Sequence, residues 1–192
     1  MLLVFAWSAV GLNFREVYEP VMRVAFGLEE RPGARLPKHE PPLLEPGLGW
    51  REAHRRGQAL MAEQASQHGF GVRVERRLVY EPELGAFRYQ VQSSLDVSDR
   101  YASTTVWFDG QDGRWLAFDA PTGQSAGQTL TTWIYQLHFG AVRGLGLPYR
   151  TFVCLMGVAV AALSVTGVWV WWVKREKHAR KRPRRHGAVD SS

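Results

Sequence analysis

Residues 152–173, FVCLMGVAVAALSVTGVWVWWV, run for 22 positions without a charged side chain, between Arg150 and the pair Lys174-Arg175. At about 1.5 Å per residue a helix of that length crosses the roughly 30 Å hydrocarbon layer of a bilayer. The stretch is therefore expected to be a transmembrane helix, assigned to residues 150–173. Trp169, Trp171 and Trp172 crowd its C-terminal end, where amphipathic indole rings favour the headgroup layer. The next segment, KREKHARKRPRR, holds eight Lys/Arg against one Glu. Short basic segments beside a span stay on the cytoplasmic side, so residues 174–192 are expected to be a cytoplasmic tail. Within the span, Gly157, Ala161 and Ser164 form a stripe of small residues, which suits close approach of another helix or of a flat cofactor.

The net charge of +6 would by itself suggest a nucleic-acid ligand. Its distribution argues otherwise. Residues 13–149 carry 15 Lys/Arg and 16 Asp/Glu, a net of −1, whereas residues 150–192 carry nine and two, a net of +7. The basic character belongs to the membrane-flanking tail, and no nucleic-acid partner is expected. The single cysteine, Cys154, lies inside the apolar run, so the polar region has neither a disulfide nor a thiolate metal site.

The chain opens on MLLVFAWSAVGL, apolar but shorter than the 17 or so residues that a crossing needs. It has no basic leader and no small-residue cleavage signal. Residues 1–13 are expected to be the outer part of a transmembrane helix that begins upstream. The chain would then emerge near Asn13 on the far side of the membrane and return through residues 150–173. Residues 14–48 are read as an extracytoplasmic linker, because Pro32, Pro37, Pro41, Pro42 and Pro46 oppose helix and sheet hydrogen bonding.

From Trp50 the pattern becomes helical: Trp50, Ala53, Gly57, Leu60, Met61 and Ala65 share a face, and Gly69 stands at a helix-ending position. The period then drops to two through Val72, Val74, Leu78 and Tyr80, and again through Phe87, Tyr89 and Val91. A second hairpin is expected at 104–118, turning at Asp109-Gly110-Gln111-Asp112-Gly113, which lacks the ligand spacing of a calcium loop. Residues 49–127 thus predict an α+β domain, one helix on a four-stranded antiparallel sheet, between transmembrane helices. Residues 128–149, with Trp133, Ile134, Leu137 and Phe139 and then a Gly/Pro-rich bend, predict a short interfacial helix and a turn into the membrane.

The sequence contains no nucleophile elbow, HExxH, phosphate loop or dinucleotide fingerprint. Among the histidines, His39, His54, His68, His178 and His186 lie in polar surroundings. Only His138 is in an apolar, membrane-proximal setting. Its imidazole suits two roles, a haem ligand or a structural hydrogen-bonding group at the end of the interfacial helix.

Several segments together, VFAWSAVGLNFREVYEPVM, YQVQSSLDVSD, TVWFDGQDGRWLAFDAPTGQSAG, WIYQLHFGAVRGLGLPYR and the apolar run, resemble the C-terminal half of the PepSY-associated transmembrane proteins. This bacterial inner-membrane family includes iron-regulated proteins and ferric-siderophore reductases. The resemblance implies a PepSY-like periplasmic domain between membrane helices and, as in the reductases, b-type haem held by histidines near the membrane faces. His138, in the LHFG segment, is the matching histidine and so the implied cofactor-binding and metal-binding residue. Longer members carry further upstream helices with a His-Arg-Trp type motif that has no counterpart here, so a second haem ligand is expected from other helices or subunits. Two functions follow. One is a part of a haem-dependent transmembrane electron-transfer system acting on ferric complexes such as ferric siderophores. The other is a non-enzymatic membrane module whose domain binds or regulates a partner protein.

Overall fold

The computed structural model describes residues 2–180 and divides after Gly146 into two compact units. The basic run past Arg180, most of the expected cytoplasmic tail, lies outside the described residues. In the first unit, α1 (Leu2–Asn13) and α2 (Arg15–Phe26) precede a 3-10 turn at Pro32–Arg35. They are followed by α3 (Trp50–His68), strands β1 (Val72–Glu81), β2 (Ala86–Ser93), β3 (Thr104–Asp109) and β4 (Trp115–Asp119), and α4 (Ala126–His138).

The four strands form an antiparallel meander in the order β1-β2-β3-β4, and α3 covers one of its faces. The expected α+β class is what the chain adopts. Ala53, Leu60 and Met61 of α3 pack onto Phe87, Tyr89, Val91, Val106, Phe108 and Phe118, which are the alternate residues of β2, β3 and β4. Gly57 brings the helix close to the sheet: a Cβ there would stand 2.7 Å from Tyr89 Cγ. The helix ends at Gly69 in the left-handed conformation, φ 65°, which costs glycine nothing.

β1 is one of the two edge strands and departs from simple alternation. Register shifts between Val72 and Val74 and between Glu75 and Arg77 turn Glu75 towards α3, where its carboxylate meets His54 and Gln58. Bulges of this kind also blunt a sheet edge against pairing with another chain. Leu78 and Tyr80 reach the core, while Val72 and Val74 remain exposed.

The stretch read as a linker does more than connect. Residues 14–48 contain α2 and the 3-10 turn, and the proline-rich part lies over the second face of the sheet. Asp119 accepts hydrogen bonds from the Trp107 indole (2.8 Å) and from Gly33 N–H (3.0 Å), which fastens the 3-10 turn to β3 and β4. His39 and Leu43 N–H donate to the carbonyls of Glu83 and Pro82, and Leu48 N–H to that of Gly110. The prolines suit this arrangement because such a strap needs few donors of its own.

The β2–β3 loop is organised by Asp96, a buried carboxylate that accepts from Ser93 N–H (2.7 Å), Ser103 N–H (2.7 Å) and the Thr104 hydroxyl (2.9 Å). The bend after α4 is stitched to this loop. Val142 bridges Ser98, Arg143 N–H donates to the Val97 carbonyl, and the Arg143 guanidinium pairs with Asp99 at 3.0 Å.

The second unit is the C-terminal helix α5 (Gly146–Arg180). Residues Gly146–Arg175 are long and apolar enough to cross a membrane, and none of the apolar window is buried inside the protein. The helix starts four residues before the expected 150. Pro148 falls in its first turn, where a missing N–H leaves no hydrogen bond unmade.

Candidate functional site

α4 begins at Ser125, whose hydroxyl accepts from Gln128 N–H at 3.1 Å, and it carries its apolar residues against α1 and α2. Its last residue is His138. Two turns of α1 lie beside it, and the Ser8 hydroxyl meets His138 Nδ1 at 2.6 Å. Ser8 is fully buried, and its oxygen also lies 2.6 Å from the Val4 carbonyl one turn back.

A hydroxyl has one proton. Carbonyls only accept, so a Ser8 hydroxyl that donates back to the Val4 carbonyl receives its hydrogen bond from an Nδ1–H imidazole. In that tautomer the lone pair stands on Nε2. This is the arrangement by which metal-ligating histidines are oriented, with one ring nitrogen held and the other offered. The Phe5 and Phe139 rings pack at 5.3 and 5.1 Å from the imidazole, so its surroundings are apolar.

One turn further along both helices, Gly11 allows α1 to approach Tyr135 and Tyr18; a Cβ there would stand 2.5 Å from Tyr135 Oη. The Tyr18 ring packs, tilted, between Trp7 (5.4 Å) and Tyr135 (6.1 Å), and its hydroxyl donates to Thr131 at 3.1 Å. Burial pushes the Tyr18 and Tyr135 phenols above their ordinary range, so both are neutral at physiological pH. These contacts fix α1 to α4 and so fix Ser8 relative to His138. A cavity of about 620 Å³ opens beside them, lined by Gly11, Arg15, Tyr18, Arg31, Thr131 and Tyr135.

The other histidines of the first unit are not gathered here. His54 pairs with Glu75 at 2.8 Å, His68 stacks on Phe118 at 5.1 Å, and His39 is exposed in the strap. His178 lies on α5, and His186 lies outside the described residues. Among the described residues no three His, Cys, Asp or Glu side chains converge as a metal-binding group. Among the described residues His138 thus offers a single imidazole, which would hold a haem only together with a ligand from elsewhere.

Sequence reasoning singled out His138 but not Ser8, Phe5, Tyr18 or Tyr135. The available signal was Ser8 itself, a hydroxyl in an apolar helix, at three-residue spacing from Phe5 and Gly11. Its partner could not be found without the packing of α1 on α4.

Comparison with known proteins gives one family. The family model described as the PepSY-associated TM region matches residues 1–174. No curated protein matches the chain.

Proposed function

The chain belongs to the PepSY-associated transmembrane family, and from that premise we propose that it is part of a haem-dependent electron-transfer system of the bacterial inner membrane. Membrane association follows from the family and from α5. In this reading residues 1–13 and 150–173 are membrane-embedded, the α+β domain is periplasmic and residues 174–192 are cytoplasmic. His138 would hold the haem through Nε2, together with a residue of another helix or subunit.

The observation that carries the proposal is the Ser8–His138 hydrogen bond, because a proton on Nδ1 directed at Ser8 would leave Nε2 free for a haem iron. Bound b-type haem supplies a one-electron couple. This chain's part is to hold the Nδ1 proton on Ser8 and to keep the ring between Phe5 and Phe139. Electrons would leave towards a ferric complex, such as a ferric siderophore, on the periplasmic side.

The test is His138→Ala and Ser8→Ala in the complete assembly, read by reduced-minus-oxidised spectroscopy and redox titration. His138→Ala is expected to abolish one haem signal. Ser8→Ala is expected to keep the signal and shift its potential, since the ligand loses a hydrogen bond that raises its basicity. An unchanged band height and potential in His138→Ala would show that His138 serves only the local structure.

A second reading, a non-enzymatic module that binds a partner protein, is favoured by one feature. A cleft of about 760 Å³ lies between the strap and the second sheet face, where Arg31, Lys38, Leu44, Arg88 and Trp107 line it. Absence of any haem signal from the complete assembly would favour this reading.

A further inference from the structure

The amphipathic helix α2 has more apolar surface than the fold covers. Tyr18 and Met22 point into the unit and are buried. Val17, Val21 and Val24, with Phe14 at the junction, form a second apolar row at helical spacing, and all four are exposed, Val24 to 90%. On a helix of 3.6 residues per turn this row lies roughly a right angle from the packed face and about opposite Arg15, Glu16, Glu19 and Arg23.

We infer that α2 lies flat in the outer membrane interface, with the row Phe14, Val17, Val21 and Val24 at the boundary between headgroups and acyl chains. The inference rests on the reading of α1 as membrane-embedded. Two observations point to lipid. First, α2 continues directly from α1. Phe14 alone leaves helical geometry, at φ −133° and ψ 65°, and its N–H still donates to the Val10 carbonyl at 2.7 Å. The apolar row of α2 therefore begins where the apolar surface of α1, including Leu3 and Leu12, ends.

Second, the row runs the whole length of the helix. Twelve residues span about 18 Å, whereas the headgroup layer is only about 5–8 Å thick on each side. Standing upright, α2 would carry Val21 and Val24 into water; lying in the plane, it places all four residues at one depth. The polar sector holds two acids and two bases, with Arg15 paired to Glu19, so attraction to anionic lipid is not required. The helix would fix the tilt of the domain on the membrane, and with it the position of α4 and His138.

The experiment uses the full chain with Cys154→Ser, reconstituted in phosphatidylcholine vesicles. Single cysteines replace Leu3, Glu16, Val17, Val21, Arg23 or Val24 in turn and carry a nitroxide label. Collision with oxygen, which concentrates in lipid, is compared with collision with a water-soluble nickel chelate. The expected result is oxygen preference at positions 3, 17, 21 and 24 and nickel preference at 16 and 23, a several-fold reversal of the ratio within one turn of helix. Nickel preference at 17, 21 and 24 with oxygen preference at 3 overturns the inference and leaves α1 in the membrane. Nickel preference at 3 as well overturns the membrane reading of α1 together with it. Shielding of 17, 21 and 24 from both reagents shows that a protein covers the row and also overturns the inference.

Discussion

Replacing Gly57 by alanine sets two effects of known size against each other. Glycine in a helix interior costs about 1 kcal/mol relative to alanine, so propensity alone expects Gly57→Ala to stabilise α3 by that amount. The packing expects the opposite. The new Cβ would stand 2.7 Å from Tyr89 Cγ, 2.9 Å from its Cβ and 3.1 Å from its Cδ2. These atoms lie at the root of a buried side chain and cannot swing away, so α3 must lift by about 1 Å to restore ordinary contact near 3.5–4.0 Å.

Lifting the helix loosens Ala53, Leu60 and Met61 against the sheet, and a gap of that size forfeits a quarter to a half of each dispersion contact. Overpacking of this kind costs about 1–3 kcal/mol, which after the propensity gain leaves a net destabilisation centred on about 1 kcal/mol. For a domain of this size that lowers the midpoint by roughly 4–8 °C. Thermal unfolding of the full chain in mild detergent, followed by near-ultraviolet circular dichroism of the buried Trp107, reads it directly. A rise in the midpoint would refute the close approach of α3 to Tyr89.

Asp96→Ala leaves Ser93 and Ser103 N–H and the Thr104 hydroxyl without their shared acceptor, and is expected to destabilise the domain by about 3 kcal/mol or more in the same melt. Hydrogen bonds from Gln58 and then His54 hold the Glu75 carboxyl below its ordinary range. A depressed carboxyl contributes stability above its unfolded pKa and loses it as pH falls through the folded value, so Glu75→Gln should flatten the decline of stability below about pH 4.5, and an unchanged acid limb would remove Glu75 from that account. On a Cys154→Ser background, a cysteine at Gln111 is expected to react with an impermeant reagent at the periplasmic side while one at Ser192 does not; the reverse pattern would invert the proposed topology.

Local signals in the sequence determined much of this protein. The uncharged run 152–173 forms a helix long and apolar enough to cross a membrane, a property that length and composition set without reference to any neighbour. The helix at 50–68 and the strands of the meander were equally legible, since periods of 3.6 and 2 record which residues face a core. Tertiary structure decided what those periods do not encode. Prolines mark residues 29–49 as irregular but do not say that Asp119 will clamp Gly33 and turn the strap into a cover for the sheet. The alternation of β1 breaks at Glu75 because bulges in the pairing with β2 re-aim that side chain towards α3. His138 stood out by its apolar setting. Its hydrogen-bond partner was decided by the packing of α1 on α4, which places Ser8, 130 residues away, beside Nδ1.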